Sequence, residues 1–389
     1  MTDAIPLVDL KLQHGRVAHE VAAGFDRVLA KTSFILGPEV HGFERDYAQF
    51  CGVGHCVGVG NGTDALELVL RAVGIGTGDE VIAPANTFVA TAEAIVRTGA
   101  TLVLADCDEH FLLDPAAALA AMTRRTKAIV PVHLYGQMAP IERYAAVLAG
   151  GVHLIEDAAQ SHGAMRHGRR SGSAGVAAAT SFYPGKNLGA YGDAGAVTTD
   201  DGGIAERLYA LRNHGGMRKY EHLDVGVNSR LDELQAVVLR AKLRRLDAWN
   251  AERQAAAERY GRLLSGLDDV CVPEVVPGNT HVWHLYVVRV PRRDDVLVRL
   301  NAAGIGAAVH YPVPVHLLPA FAERGWQRGA FPIAELLSDE ILSLPIYPGI
   351  TPAQQERVVG RLAEALRGSR RSHSRTFERA EVSTVSAVR

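Results

Sequence analysis

From Val57 to about Val197 the chain alternates short β-rich segments with amphipathic or Ala-rich stretches, and this alternation restricts its fold more than any other feature. Glu80–Ala83, Thr101–Ala105, Lys127–Val132 and Val152–Glu156 carry strand patterns. Ala65–Val73, Val89–Arg97, Pro115–Met122 and Ile141–Leu148 between them carry helical ones. Strand–helix alternation predicts an α/β fold with a mainly parallel sheet covered on both faces. A long helical pattern then runs from Leu231 to Leu267, with Leu231, Leu234, Val238 and Ala241 at three- and four-residue spacing. After Pro273 and Pro277 the pattern becomes strand His281–Val290, helix Asp294–Ala303, strand Gly306–His310 and two further helices ending near Arg367. The division expected is a large unit over 1–250, a smaller C-terminal α/β unit over 251–368, and a polar, mobile tail over 369–389.

Composition narrows the class of function. With 389 residues, 48% hydrophobic, the chain can bury a sizeable core. A net charge of only -2 leaves no electrostatic footprint for nucleic acid. No apolar run reaches the roughly 18 residues needed to span a bilayer, and the N-terminus does not resemble a signal peptide. Four cysteines fit a reducing compartment, so a cytoplasmic enzyme is expected. Cys51 and Cys56 flank His55, but no second ligand pair with zinc-like spacing follows, and no metal is expected.

Three segments carry chemistry. The lysines are Lys11, Lys31, Lys127, Lys186, Lys219 and Lys242, a short roster if the chain uses an amine covalently. Lys186 stands apart, in Ser181-Phe182-Tyr183-Pro184-Gly185-Lys186-Asn187, where aromatics and glycines suggest a turn closely approached by a ligand. Asp157 follows a strand, and ligands of parallel α/β sheets sit at the carboxyl ends of strands. Facing a cofactor there, its carboxylate could hold a pyridine nitrogen protonated; as a plain structural residue it would cap a helix. Gly60-Asn61-Gly62-Thr63-Asp64 enters a helix, and such an N-terminus is a natural phosphate cradle. Neither a dinucleotide fingerprint nor a P-loop is complete there.

Taken together, these segments resemble the DegT/DnrJ/StrS family of sugar aminotransferases, within the fold-type I pyridoxal-phosphate enzymes. GNGTDAL, DEVIAPANTFVATAEAI, PVHLYGQ, LIEDAAQSHGA, SFYPGKNLGAYGDAGAV, LRNHGG, GVNSRLDELQAVV, HVWHLYVVR, HYPVPVHLLPAF and ILSLPIYP occur in family order. The resemblance implies a large domain with a mixed, mainly parallel seven-stranded sheet and a smaller C-terminal domain. It implies pyridoxal 5'-phosphate, with Lys186 as the catalytic Schiff-base lysine and proton shuttle. Asp157 would pair with the pyridine nitrogen and Gln160 with the ring hydroxyl; Phe88 would stack on the ring. Gly62, Thr63 and Ser181 would bind the phosphate, joined by Asn228 from the neighbouring subunit of a homodimer with shared sites. Tyr183, Lys219, Tyr220, Arg230, His310 and Tyr311 would face the substrate. Val309–His316 looks most like members that aminate C-3 of a dTDP-linked 3-keto-6-deoxyhexose with L-glutamate as donor, in amino-sugar (natural-product) biosynthesis. The alternatives are a C-4 keto-sugar nucleotide, a cyclitol ketone, or a non-catalytic cofactor-binding regulator. His-Gly-Gly at 214–216 departs from the Tyr-Gly-Ser of close relatives.

Overall fold

The structure is a computed structural model that describes residues 4–144, 150–218 and 220–385. Its centre is a seven-stranded sheet of β1 (His55–Val59), β2 (Glu80–Pro84), β3 (Thr101–Ala105), β4 (Thr126–Ile129), β5 (His153–Asp157), β8 (Ala177–Ser181) and β9 (Gly195–Thr199), in the order β1-β9-β8-β5-β4-β2-β3. The run β8-β5-β4-β2-β3 is parallel, and β9 is antiparallel to both its neighbours. This is the mixed, mainly parallel sheet expected. Two-residue strands β6 (Met165–Arg166), β7 (Arg169–Arg170) and β10 (Asn279–Thr280) form a small separate sheet.

Helices cover the central sheet because its strands are apolar on both faces: all five residues of β2 are buried. The covering helices include α4 (Gly62–Ala72), α5 (Val89–Arg97), α6 (Pro115–Ala120) and α7 (Gly202–Leu211). Leu68, Val69 and Leu70 of α4 join Val81, Ala83, Ile95 and Leu208 in the largest apolar cluster. Asn61 caps α4 by accepting from the Asp64 N–H at 2.8 Å, and Asp201 caps α7 through Gly203 and Ile204.

The structure departs from the sequence expectations at several places. The helical pattern over Leu231–Leu267 is two helices, α8 (Glu233–Leu243) and α9 (Leu246–Leu264). Val238, Ala241 and Trp249 pack on Val17 and Val21, beside helices α1 (Leu10–Gly15), α2 (Ala18–Lys31) and α3 (Pro38–Cys51). Ala256, Ala257, Tyr260 and Leu264 instead enter the core of the C-terminal unit. There β11 (Tyr286–Arg289) pairs antiparallel with β12 (Ile341–Leu344), under α10 (Arg293–Ala302) and α12 (Pro352–Val385). The strand expected over His281–Val290 is thus confined to β11, since Trp283 adopts a left-handed φ of 50°. Gly306–His310 is not a strand: Ile305 bridges to Ile5 and Ala308 to Ser343, each singly. Ile141–Leu148 opens as a 3-10 turn over Ile141–Tyr144, and 145–149 lie outside the described residues. Helix α11 (Pro332–Glu340) precedes β12. The final helix runs to Val385, through most of the segment read as a tail, whose sequence contains no proline or glycine after Gly368 to stop it.

Candidate active site

The carboxyl ends of β2, β4, β5 and β8 open onto one cavity of about 710 Å³. Gly62, Thr63, Phe88, Asp157, Gln160, Ser181, Tyr183, Lys186, His310 and Tyr311 all line it. Asp157 is the last residue of β5, and its neighbour Glu156 points the other way by strand alternation. Glu156 is wholly buried and accepts from His133 Nε2 at 2.8 Å and from the N–H groups of Gly172, Ala174 and Gly175. Burial works to raise its pKa, but the His133 contact and these backbone donors hold it below the ordinary carboxylate value. The strand end that carries Asp157 is therefore fixed from behind.

Asp157 itself is held above its ordinary pKa by burial, against the pull of Thr91, the Ala159 N–H and Lys186. Thr91 Oγ1 donates to Asp157 Oδ2 at 2.8 Å, and Ala159 N–H to Oδ1 at 3.2 Å. Lys186 is on the turn that follows β8, where its N–H donates to Tyr183 O at 2.8 Å. Burial lowers its amine to about 8, partly opposed by the Asp157 charge. At pH 7 roughly a tenth of such a lysine is the free amine, against far less than one in a thousand for an exposed one. The next residue, Asn187, anchors the turn by donating to Asn250 Oδ1 and Val282 O, both at 2.9 Å.

Gly62 and Thr63 begin α4, so their N–H groups precede any intrahelical acceptor and aim the helix's positive end at the cavity. Glycine is required at 62 by close packing: a Cβ would lie 2.5 Å from Ser181 Cβ. On the opposite wall Gln160 Oε1 accepts from Tyr135 N–H at 2.7 Å, and its Nε2 donates to Tyr311 Oη at 3.1 Å. Tyr311 also meets Phe88 at 5.0 Å between ring centroids. His310 Nδ1 lies 2.8 Å from Ser343 Oγ, and burial pushes its ring down to about 4.

Three further sequence candidates, Asn228, Arg230 and Tyr220, do not line this cavity in a single chain. Asn228 bridges to Asn213, Arg230 Nη1 donates to Asn213 Oδ1 at 3.0 Å, and Tyr220 is 81% exposed. Lys219 lies outside the described residues. Between Asn228 and Arg230, Ser229 Oγ donates to Asp64 Oδ2 at 2.7 Å and accepts from Gly60 N–H, which docks this segment beside the helix start. Sequence reasoning missed Thr91, in the first turn of α5, and it missed His284, which also lines the cavity.

A buried lysine, a carboxylate fixed at a strand end and a helix start with free N–H groups come together in one cavity, an arrangement suited to a phosphorylated aldehyde cofactor. Comparison with known proteins agrees. The profile of the DegT/DnrJ/EryC1/StrS aminotransferase family matches residues 16–363. The chain is 47% identical over 365 residues to a Streptomyces venezuelae dTDP-3-amino-3,4,6-trideoxy-alpha-D-glucose transaminase, covering 93% of this chain and 96% of that one. It is 45% identical to a Geobacillus stearothermophilus protein named a pleiotropic regulatory protein, covering 93% and 99%. The crystal structure of S. venezuelae DesV in complex with a ketimine intermediate superposes with a TM-score of 0.91 at 47% identity, covering 93% and 98%. The chain belongs to the DegT/DnrJ/EryC1/StrS aminotransferase family and has its α/β fold. Among the described residues no helix is long and apolar enough to cross a membrane.

Proposed function

We propose that the protein transfers an amino group from L-glutamate to C-3 of a dTDP-linked 3-keto-6-deoxyhexose, with pyridoxal 5'-phosphate as cofactor. The observation that carries this reading is the convergence of Lys186 and Asp157 in one cavity, in a chain 47% identical to a relative named for a dTDP-3-amino sugar. When bound, the cofactor carries the amino group between the two substrates and supplies an electron sink for the reacting carbon.

The chain's own residues divide the remaining work. Lys186 Nζ holds the cofactor and, once released, moves a proton at the reacting carbon, a task suited to an amine titrating near pH 8. Asp157 orients the pyridine ring and keeps its nitrogen protonated, and Gln160 Nε2 retains a hydrogen for the ring hydroxyl. The Gly62 and Thr63 N–H groups with the Ser181 hydroxyl take the phosphate, and Phe88 covers the ring face. In this reading the unit up to about residue 250 holds the cofactor and the unit to about 368 contributes His310 and Tyr311 to the sugar side. Tyr183, from the lysine turn of the larger unit, meets the substrate as well. A second subunit supplies Asn228 to the phosphate and Lys219, Tyr220 and Arg230 to the substrate, since three of these four lie off the cavity of their own chain and the described structure does not include Lys219.

The test is a panel of 3-keto and 4-keto sugar nucleotides and a cyclitol ketone, offered to the purified holoenzyme with glutamate. Turnover of the dTDP-3-keto sugar above the others supports the reading, and preference for a 4-keto sugar or cyclitol overturns the substrate. The relative named as a regulator keeps a regulatory reading in view; absence of turnover on the whole panel, with cofactor bound, would favour it.

A further inference from the structure

His284 lines the same cavity, yet none of the roles above uses it. The residue is only 8% exposed. Nδ1 is enclosed without a partner, and neither ring nitrogen bonds another described residue. A buried polar atom left unpaired is costly, which makes an unpaired imidazole on a cavity wall a group waiting for a ligand.

The backbone around it is clamped. Arg253 Nη1 donates to the carbonyls of Trp283 (3.0 Å), His284 (3.4 Å) and Ile346 (3.0 Å). Val282 N–H donates to Gly136 O at 2.8 Å, and Leu285 N–H to Tyr135 O at 3.2 Å. Asn187, next to Lys186, holds Val282 O. Gly136 allows this approach, since a Cβ there would sit 2.8 Å from His284 N. Trp283 has a φ of 50°, a left-handed conformation that a bulky residue keeps only where its surroundings impose it. Strain and clamp together fix the backbone from which the His284 side chain joins the cavity wall.

The chemistry of the ligand follows from the state of the ring. Burial, with Lys186, Arg253, His310 and His162 nearby, holds its pKa well below the ordinary value, so it is a neutral imidazole. Neutral imidazole has one donor and one acceptor. With Nδ1 enclosed, Nε2 is the nitrogen a ligand can reach; a hydroxyl, itself donor and acceptor, can meet it in either tautomer, whereas a carboxylate or phosphate oxygen needs a donor and is better served by a cation.

We propose that His284 is a specificity-determining residue that hydrogen-bonds a hydroxyl of the substrate's sugar ring. This rests on the sugar-nucleotide reading above. The test uses holoenzyme of the unaltered protein and of His284→Phe and His284→Asn, with dTDP-glucose and dTDP as calorimetric probes. The sugar of dTDP-glucose has no ketone and so does not react. The Phe variant should lose roughly tenfold in affinity for dTDP-glucose, the worth of one buried hydrogen bond, while dTDP binds as before. The Asn variant should recover part of the loss. An unchanged ratio of the two affinities in the Phe variant overturns the assignment. So does loss of cofactor or a shift of its visible band in the Asn variant, which would place His284 on the cofactor instead. If the unaltered protein binds neither probe, the sugar-nucleotide reading itself falls, and this assignment with it.

Discussion

Thr91 Oγ1 donates its hydrogen to Asp157 Oδ2 at 2.8 Å, inside the protein and one strand end away from Lys186. Because that hydrogen is spent, the 2.9 Å contact between Thr87 Oγ1 and Thr91 Oγ1 must have Thr87 as donor. The result is a short relay of hydroxyls, from Thr87 ahead of α5 through Thr91 in its first turn, that ends on the carboxylate and favours its charged form. Burial alone would favour the neutral acid.

Thr91→Val should therefore raise the pKa of Asp157 further. A hydrogen bond to a charged group is worth about 1.5–3 kcal/mol, or about one to two pH units. The acid limb of the pH–rate profile of the glutamate half-reaction should move up by about that much, while the rate at high pH changes little. A limb that stays in place would show that Thr91 serves packing alone. Asp157→Asn, which removes the charge altogether, should retain cofactor but lose turnover by about 3 kcal/mol or more in barrier.

Lys186 has a measurable effect on stability before any cofactor binds. Its folded pKa, about 8, lies below the model-compound value of 10.5. The unfolded chain thus binds a proton more readily between these values, and the cost of burying the charged amine is full below pH 8 and gone above 10.5. Cofactor-free Lys186→Met should be more stable than the cofactor-free parent at pH 7, by about 3 kcal/mol at most. The advantage should shrink from pH 8 to 10.5. Thermal denaturation across that range checks the sign.

Gly62→Ala should weaken the hold on phosphate. The new Cβ would lie 2.5 Å from Ser181 Cβ and 3.1 Å from its Cα, so the start of α4 must shift. Overpacking of this kind costs about 1–3 kcal/mol. Cofactor affinity should fall by about tenfold or more, read as release during dialysis, with the fold retained by circular dichroism.

Shared sites predict complementation. Lys186→Ala chains and Asn228→Ala chains, each inactive alone, should regain part of the activity when mixed, because each mixed dimer has one site with both residues intact. No recovery after demonstrated subunit exchange would mean that Asn228 acts within its own chain.

Much of this site was legible as sequence because its parts are local. The cradle at Gly62 and Thr63 is a helix start, the turn around Lys186 is a short run of glycines and aromatics, and Asp157 ends a strand; each depends on residues within a few positions of itself. The strand–helix alternation likewise determined the parallel sheet, since connection length decides whether strands pair parallel or antiparallel. Only the tertiary structure decided the rest. The 231–267 pattern breaks after Leu243 and its far end turns to a second core, neither of which an apolar spacing reveals. Ser229 reaches Asp64 across 165 positions. His284 faces the cavity only because Arg253, Gly136 and Asn187, remote in sequence, hold its backbone. Hydrogen bonds between distant segments follow from how the layers pack, and local propensity contains no term for them.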